Sequence, residues 1–484
     1  MACSTCVAGS RQIHPEYAHS HNQAFKQASV RILLLLGIAG TALLAGCGGT
    51  AASSTGQGGG TGGGGGTTSS QPTSISVQFT SSSIMPTTVA TQVGTGTWTA
   101  ATLQNGQFTI SVPSGTQNYA YAYVCAPYVS ANNGTVATNM TQEYIYQQSV
   151  QDGTSVTEPS GCYSTPGTQS TNTTTPTTLN VDATAIPNTT SIEMVGTLGG
   201  GLILGDSGTT SMNLLSGTSD FIVAAEDANY NPLAVDILRS QTIPGQINGG
   251  NPIVLTSVNA TSSISVTYQN VPSGWGSPTL LGNFATADGI DIFVTPLQYP
   301  VGSVYHAIPT AQLQSGDFYT FYTGVYGQAT YSQLAYSVVG SVINTPATSP
   351  PTSFAFAAPL PASDAAPTAA ALPTFNIGYP GFSDTSLTST GAYAGMQWPT
   401  YLSTNPPQAI YSLVINATST YLNGAITLTV PDLSAVPGFI VAPSSGTGVG
   451  WDAGAYGENY PVVVPAPTNS KYSYAENEGT YTTP

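Results

Sequence analysis

Basic charge is almost missing from this chain of 484 residues: Lys and Arg number 5 against 21 Asp and Glu, and charged residues of all kinds make up 5%, where about 25% is usual. Beyond residue 46 only Arg239 and Lys471 remain, and of the acids only Glu16 precedes that point, so residues 47–484 carry a formal charge of −18. A surface this poor in Lys and Arg cannot neutralise phosphates, which excludes nucleic acid as a partner. It equally lacks electrostatic attraction to an anionic membrane surface. Histidine and cysteine are nearly as scarce. His306 is the only histidine after residue 46, and Cys125 and Cys162 are the only cysteines after Cys47. One histidine and one cysteine pair rule out the usual zinc sets. No G-x-S-x-G elbow supplies a nucleophilic serine. Helical periodicity is missing too, since nothing beyond residue 46 keeps apolar residues at i, i+3, i+4 and i+7 for three turns. Finally, no hydrophobic run is long. Ile32 to Leu44 reaches only about 20 Å as a helix, short of the ~30 Å hydrocarbon core.

What that short run does have is context. Lys26 and Arg31 precede it and Leu44-Ala45-Gly46-Cys47 closes it, the layout of a secretory signal peptide. The Leu-Ala-Gly-Cys closure resembles the lipobox of bacterial lipoproteins. That resemblance implies cleavage before Cys47, acylation of its thiol, and a mature chain held at the cell envelope, at the outer membrane or cell surface, by an N-terminal lipid. Residues 1–46 are then a leader, with Val30 an alternative initiator, and 47–72 a Gly/Ser/Thr-rich tether.

The remainder alternates with a period of two. Ile75-Val77-Phe79, Phe108-Ile110-Val112, Tyr119-Tyr121-Tyr123-Cys125, Ile264-Val266-Tyr268 and Ile426-Leu428-Val430 are separated by turns such as Asn105-Gly106, Asp288-Gly289 and Asn423-Gly424. The pattern predicts an all-β chain of tandem β-sandwich domains, immunoglobulin-like or regulatory-like. Composition places them at 73–195, 196–345 and 374–484, with a Pro/Ala-rich linker at 346–373, inside which `TSFAFAA` could be a strand, and a tail that loses its apolar pattern after Val464. The run `GQFTISVPSGTQNYAYAYV` resembles the carboxypeptidase regulatory-like domains of bacterial surface proteins, and residues 196–470 resemble uncharacterised predicted bacterial lipoproteins. Outside the cytoplasm, Cys125 and Cys162 are expected to form a disulfide. With two basic residues, the mature chain gains little net charge in acid and is expected to stay folded there.

Several constellations could carry chemistry. His306 is the sole imidazole beyond residue 46, and next to Tyr305 it reads as an ordinary strand-edge residue. Asp227-Ala228-Asn229-Tyr230-Asn231 has the oxygen spacing of a calcium loop, but Pro232 and Leu238 stand where an EF-hand needs Gly and Glu; an Asx turn is the expected state. Asp206-Ser207-Gly208-Thr209 resembles the D-[ST]-G-[ST] motif of pepsin-like proteases, yet no second copy exists to share a proton. The acid pairs Asp288 with Asp291, and Glu226 with Asp227, are candidates for glycosidase carboxylates. Tyr319, Tyr322, Tyr326 and Tyr331 cluster after Asp317, and tyrosine suits both sugar stacking and protein contacts. The expectation is therefore a non-catalytic, lipid-anchored binding or structural protein whose speculative ligand residues are Tyr319, Tyr322 and Tyr326. Its partner is a glycan or an envelope protein, and it needs no metal or cofactor. The alternatives are a carboxylate-dependent glycan hydrolase and a periplasmic envelope scaffold.

Overall fold

A computed structural model describes residues 73–80, 85–126, 128–132, 136–159, 162, 174–295, 303–328, 334–361, 367–368, 370–378, 381–382, 384, 386–400, 409–440, 442–459 and 470–484. Cys47, Tyr331, the leader and the tether lie outside these. The fold is all-β, with Ser419–Leu422 the one α-helix among the described residues. No helix among them is long and apolar enough to cross a membrane.

A 13-stranded sheet organises the molecule. Its strands, numbered in chain order within that sheet, are β1 (Thr88–Val93), β2 (Thr99–Ala101), β3 (Asn118–Val124), β4 (Tyr128–Asn132), β5 (Val136–Ser149), β6 (Thr279–Ala285), β7 (Asp291–Phe293), β8 (Phe318–Gln328), β9 (Leu334–Pro346), β10 (Ser389–Thr400), β11 (Ala409–Thr418), β12 (Gly448–Glu458) and β13 (Lys471–Thr482). Their spatial order is β7-β6-β8-β9-β13-β12-β10-β11-β5-β3-β1-β2, with β4 also paired to β5. Neighbours run antiparallel except β11 and β5, which pair in parallel from Ala409↔Asn139 to Ala417↔Gln147.

Smaller sheets cover parts of both faces. Thr73–Thr80, Gln107–Val112 and Ser155–Pro159 form a three-stranded sheet whose Ile75, Val77, Phe79, Phe108 and Ile110 pack on Tyr119, Tyr121, Tyr123, Tyr144 and Tyr146 of β3 and β5. The tyrosines stack across the strand pair, with ring centroids 5.0 Å apart for both Tyr121–Tyr146 and Tyr123–Tyr144. Farther along, a four-stranded sheet (Gly201–Leu204, Ser191–Gly196, Gly217–Glu226, Pro232–Ile243) is sandwiched between two neighbours. One face of it meets a three-stranded sheet through Phe221, Val223 and Leu214. The other presents Ile222, Ala224, Val235 and Ile237 to Leu280, Phe284, Tyr319 and Phe321 of β6 and β8. Arg239 bolts this second contact. It donates to Asp220 (2.9 Å) on its own sheet, to Asp317 (2.6 and 3.1 Å) just before β8, and to the Gln312 carbonyl (3.0 Å).

Three expectations about organisation change. Segments 73–195, 196–345 and 374–484 contribute β1–β5, β6–β9 and β10–β13 to the same sheet, so composition boundaries do not mark closed, separate sandwiches. Strand edges that a sandwich leaves open are instead paired, β9 with β13 and β5 with β11. The Pro/Ala-rich stretch is not a free linker either. Ser353–Ala355 pairs in parallel with Thr267–Gln269, and Phe354 and Phe356 are buried. The tail beyond Val464 likewise holds β13, a strand near the middle of the sheet.

The Cys125–Cys162 disulfide is present, with Cα atoms 5.2 Å apart and a sequence separation of 37. It closes the loop that carries β4 and β5 against the first small sheet. Replacing both cysteines with serine is expected to lower the unfolding free energy by about 4 kcal/mol, the loop-closure entropy for that length. Urea unfolding of the variant against the oxidised parent measures it. A loss under ~1 kcal/mol means the reduced, unfolded chain already keeps this loop closed.

Candidate functional site

Alternation along β8 to β13 divides the large sheet into two unlike faces. One is apolar: Val325, Val339, Ala475, Ala453, Ala394, Trp451 and Ile415 pack beneath Phe375, Leu428, Val430 and Phe439. The other carries Tyr322 and Tyr326 on β8, Tyr472, Tyr474, Glu476 and Glu478 on β13, Asp452, Tyr456 and Glu458 on β12, and Tyr393 and Gln397 on β10. Residues of like parity share a face because successive side chains point to opposite sides of a strand.

Glycine makes room for these large groups. A Cβ at Gly340 meets the ring of Tyr474 at 2.4 Å, one at Gly391 meets the Tyr456 hydroxyl at 2.6 Å, one at Gly395 meets Asp452 Oδ1 at 2.4 Å, and one at Gly454 meets Glu476 Cβ at 2.8 Å. Each tyrosine or carboxyl therefore lies over a glycine of the adjacent strand, the same device that lets aromatic rings cover strand glycines elsewhere. The rings form a chain, with Tyr456 and Tyr472 stacked at 5.9 Å, Tyr474 5.9 Å from Tyr472, and Tyr393 6.5 Å from Tyr456. Tyr322, Tyr326, Tyr456 and Tyr474 are half-buried, while Tyr393 and Tyr472 are buried.

Three carboxyls converge among them. Asp452 stands directly across the strand pair from Glu478, and Glu476 lies one row away, opposite Gly454. Directly opposed side chains have Cβ atoms about 5 Å apart, and like charges there repel. The Tyr393 hydroxyl donates to Glu476 Oε2. Asp452 Oδ2 and Glu476 Oε1 are buried with no hydrogen-bond partner, as are Gln142 Oε1 and Asn416 Nδ2 on the same face. Burial first, then repulsion from Glu478, pushes the Asp452 carboxyl upward; burial, then repulsion from Asp452, raises Glu476, with the Tyr393 hydrogen bond easing it downward and Glu478 adding a smaller push. Burial also carries Glu458 up to about 8. On the apolar face Glu143 rises to about 7 through burial, opposed by the Ile440 N–H it accepts.

The residues singled out from sequence land elsewhere or only partly here. Tyr322 and Tyr326 belong to the tyrosine face. Tyr319 does not: it has the opposite parity, is fully buried, and its hydroxyl accepts the Ile308 N–H at 2.8 Å. It lines a 450 Å³ pocket with Val258, Ile264 and Ala347 and does not join the other two. His306 Nδ1 lies 3.5 Å from Thr261 Oγ1, whose hydroxyl is within reach of the Pro232 carbonyl at 2.7 Å. Burial lowers the imidazole, with Asp227 pulling the other way. The Asp227 carboxylate accepts from the Asn229 and Asn231 N–H groups and from Asn231 Nδ2 at 2.8–3.0 Å, an Asx turn that occupies its oxygens. Among the described residues no group of three or more His, Cys, Asp or Glu is arranged to hold a metal ion. Asp206 is exposed beside Ser207. Asp288 is exposed on its turn, whereas Asp291 accepts from Asn283. Glu226 is buried and accepts from Ser191. The convergent acids, Asp452 and Glu476, are ones sequence reasoning passed over. Their signal was there in `WDAGAYGE` and `KYSYAENE`, where acids and tyrosines alternate with small residues.

No family model matches the chain, and no curated protein does. Among solved structures it is similar to the Bacillus anthracis TIE protein, at 9% identity and a TM-score of 0.12; the match spans 52% of this chain and 45% of that one, less than half its length, and carries no argument.

Proposed function

We propose that this is a lipid-anchored protein of the cell envelope that binds a neutral glycan through the tyrosine face of its large sheet, without catalysing a reaction. The observation that carries this reading is the row of half-buried rings, Tyr322, Tyr326, Tyr456 and Tyr474, set among carboxyl groups on a rigid sheet. A tyrosine offers an apolar face to a sugar ring and a hydroxyl to its polar edge. Carboxyls held uncharged can both donate to and accept from sugar hydroxyls. The described residues put no Lys, Arg or His on this face, which favours a neutral glycan over an anionic one. In a pull-down with insoluble cellulose and chitin, both uncharged, the parent is expected to be retained on at least one. The Tyr322→Ala/Tyr326→Ala variant should lose retention at least about tenfold, the worth of ~1.4 kcal/mol, while His306→Ala changes nothing. Equal retention of parent and tyrosine variant overturns the assignment of the face.

The convergence of Asp452 and Glu476 favours a second reading, carboxylate-dependent glycan hydrolysis. A retaining or inverting pair needs one ionised and one protonated carboxyl with sugar between them. Here both are buried and pushed toward the neutral form, which supports binding over cutting. Release of reducing ends that vanishes in Asp452→Asn and Glu476→Gln variants reverses that order.

A further inference from the structure

Asp452 and Glu476 pose a problem of charge that glycan binding leaves unanswered. Each keeps a buried oxygen without a partner, on adjacent strands of one face. Among the described residues every titratable group turned toward them is acidic: Glu478 across from Asp452, Glu458 and Tyr456 along β12, Tyr472 and Tyr474 along β13, Tyr393 from β10, and Tyr326 of β8 through Tyr474. The cations of the described chain are committed elsewhere. Arg239 is held by Asp220 and Asp317. Lys471 points to the opposite face and pairs with Asp384, and His306 lies beside Asp227 in another sheet. An isolated buried carboxylate is prohibitively costly and neutralises instead. Protons are what remains to do it.

We propose that Asp452 and Glu476 form a proton-held lock between β12 and β13, closed in acid and forced apart by their own charge as the medium becomes neutral to alkaline. Protonation turns an orphan acceptor oxygen into an O–H donor that a neighbouring carboxyl or tyrosine oxygen can accept. Loss of the protons puts as many as three negative charges, with Glu478, onto two hydrogen-bonded strands in a low-dielectric layer. The placement gives this a consequence for the whole molecule. The β12–β13 ladder, from Gly448↔Thr482 to Glu458↔Tyr472, is the seam that joins the β6–β9 side of the sheet to the β10, β11 and β5 side. Opening the seam also removes the platform under Tyr456 and Tyr474.

The direction of the pH effect follows from proton counts. Carboxyls raised in the folded state keep protons that the unfolded chain has released above its ordinary values of 3.8 and 4.5. Their contribution to stability is complete below that range and is lost as pH climbs through neutrality. The parent Tm is therefore expected to fall by on the order of 5 °C or more between about pH 5 and about pH 8. The Asp452→Asn/Glu476→Gln variant, which carries the neutral forms permanently, should keep the acid Tm and lose most of that fall. A parent Tm that is flat or rises over the range overturns the lock, and so does a double variant that retains the parent's slope, which would assign it to Glu143 and Glu458. If the double variant fails to fold, infrared spectra of a Glu143→Gln/Glu458→Gln variant, which removes the two other carboxyls that burial raises to about 7 and about 8, decide. A protonated-carboxyl C=O band persisting there at about pH 6, where an exposed acid is ionised, supports the lock, and its absence overturns it. Retention on glycan at low pH is read separately, so a protein that locks but does not bind leaves this inference standing and removes the proposed function.

Discussion

Replacing Arg239 with alanine is expected to lower the unfolding free energy by about 3–5 kcal/mol, the cost of removing one partner from a buried ion network. Asp317 has a side chain that is 0% exposed and Asp220 one that is 6% exposed, so neither can turn to water when the guanidinium is gone. Backbone donors would remain, Gln314 and Ala287 for Asp317 and Ser240 for Asp220, but these are dipoles and cancel no charge. The damage should concentrate where the four-stranded sheet meets β6 and β8, because Arg239 is the charged tie across a contact built largely from Ile222, Val235, Phe284 and Phe321, with the Ile237 N–H donating to Gln312 Oε1 as a further, uncharged link. Lysine should recover only part of the loss, since a single ammonium cannot hold both carboxylates and the Gln312 carbonyl in the planar fork that arginine offers. Urea midpoints for parent, alanine and lysine variants measure the series. Near-equal stability of alanine variant and parent means water reaches the two aspartates, and the tie is then without consequence.

The strands were legible wherever one face is strictly apolar. Ile75-Val77-Phe79 and Phe108-Ile110-Val112 alternate cleanly because one side of each packs on the tyrosines of β3 and β5 and the other is free. Turn residues were equally informative, and Asn105, Gly106, Asn423, Gly424 and Gly289 all adopt the positive φ that their turns demand. The pairing of Cys125 with Cys162 followed from their being the two cysteines beyond Cys47. What stayed hidden was β13, since its inward side carries Ser473, Ala475 and Asn477 in place of bulky apolar residues. Ser473 and Asn477 hydrogen-bond to Ser341 and Ser337 of β9, so this stretch of sheet is held by polar contacts that a hydrophobic pattern does not register. Domain boundaries misled for a related reason. Which strand edges pair across hundreds of residues, as β5 does with β11, depends on edge geometry that no local window contains. The site was half legible: Tyr322 and Tyr326 have the right parity, whereas Tyr319, one step out of register, belongs to the core. The acids were missed because sequence spacing cannot say that residues 452 and 476 face one another.

Cys47→Ser is expected to have an all-or-none effect on location, which makes it the sharpest test of the proposed address. The run Ile32 to Leu44 followed by Leu-Ala-Gly-Cys offers two ways to hold a membrane, as an uncleaved apolar segment or through lipid on the cysteine. At about 20 Å as a helix the segment is too short to span, and the formal charge of −18 over residues 47–484 opposes any anionic leaflet. Acyl chains are then the one attractive contribution, at about 0.8 kcal/mol for each buried methylene, with more than one chain needed for stable anchoring. Removing the thiol leaves no compensating contact, so the variant should leave the membrane fraction entirely or stall unprocessed, and take up no labelled fatty acid. The parent should incorporate label and stay with the membrane through a high-salt wash, because salt screens charges and leaves hydrocarbon burial intact. A parent that takes up no label, or that salt releases, removes the lipid anchor and with it the envelope assignment that the binding proposal assumes.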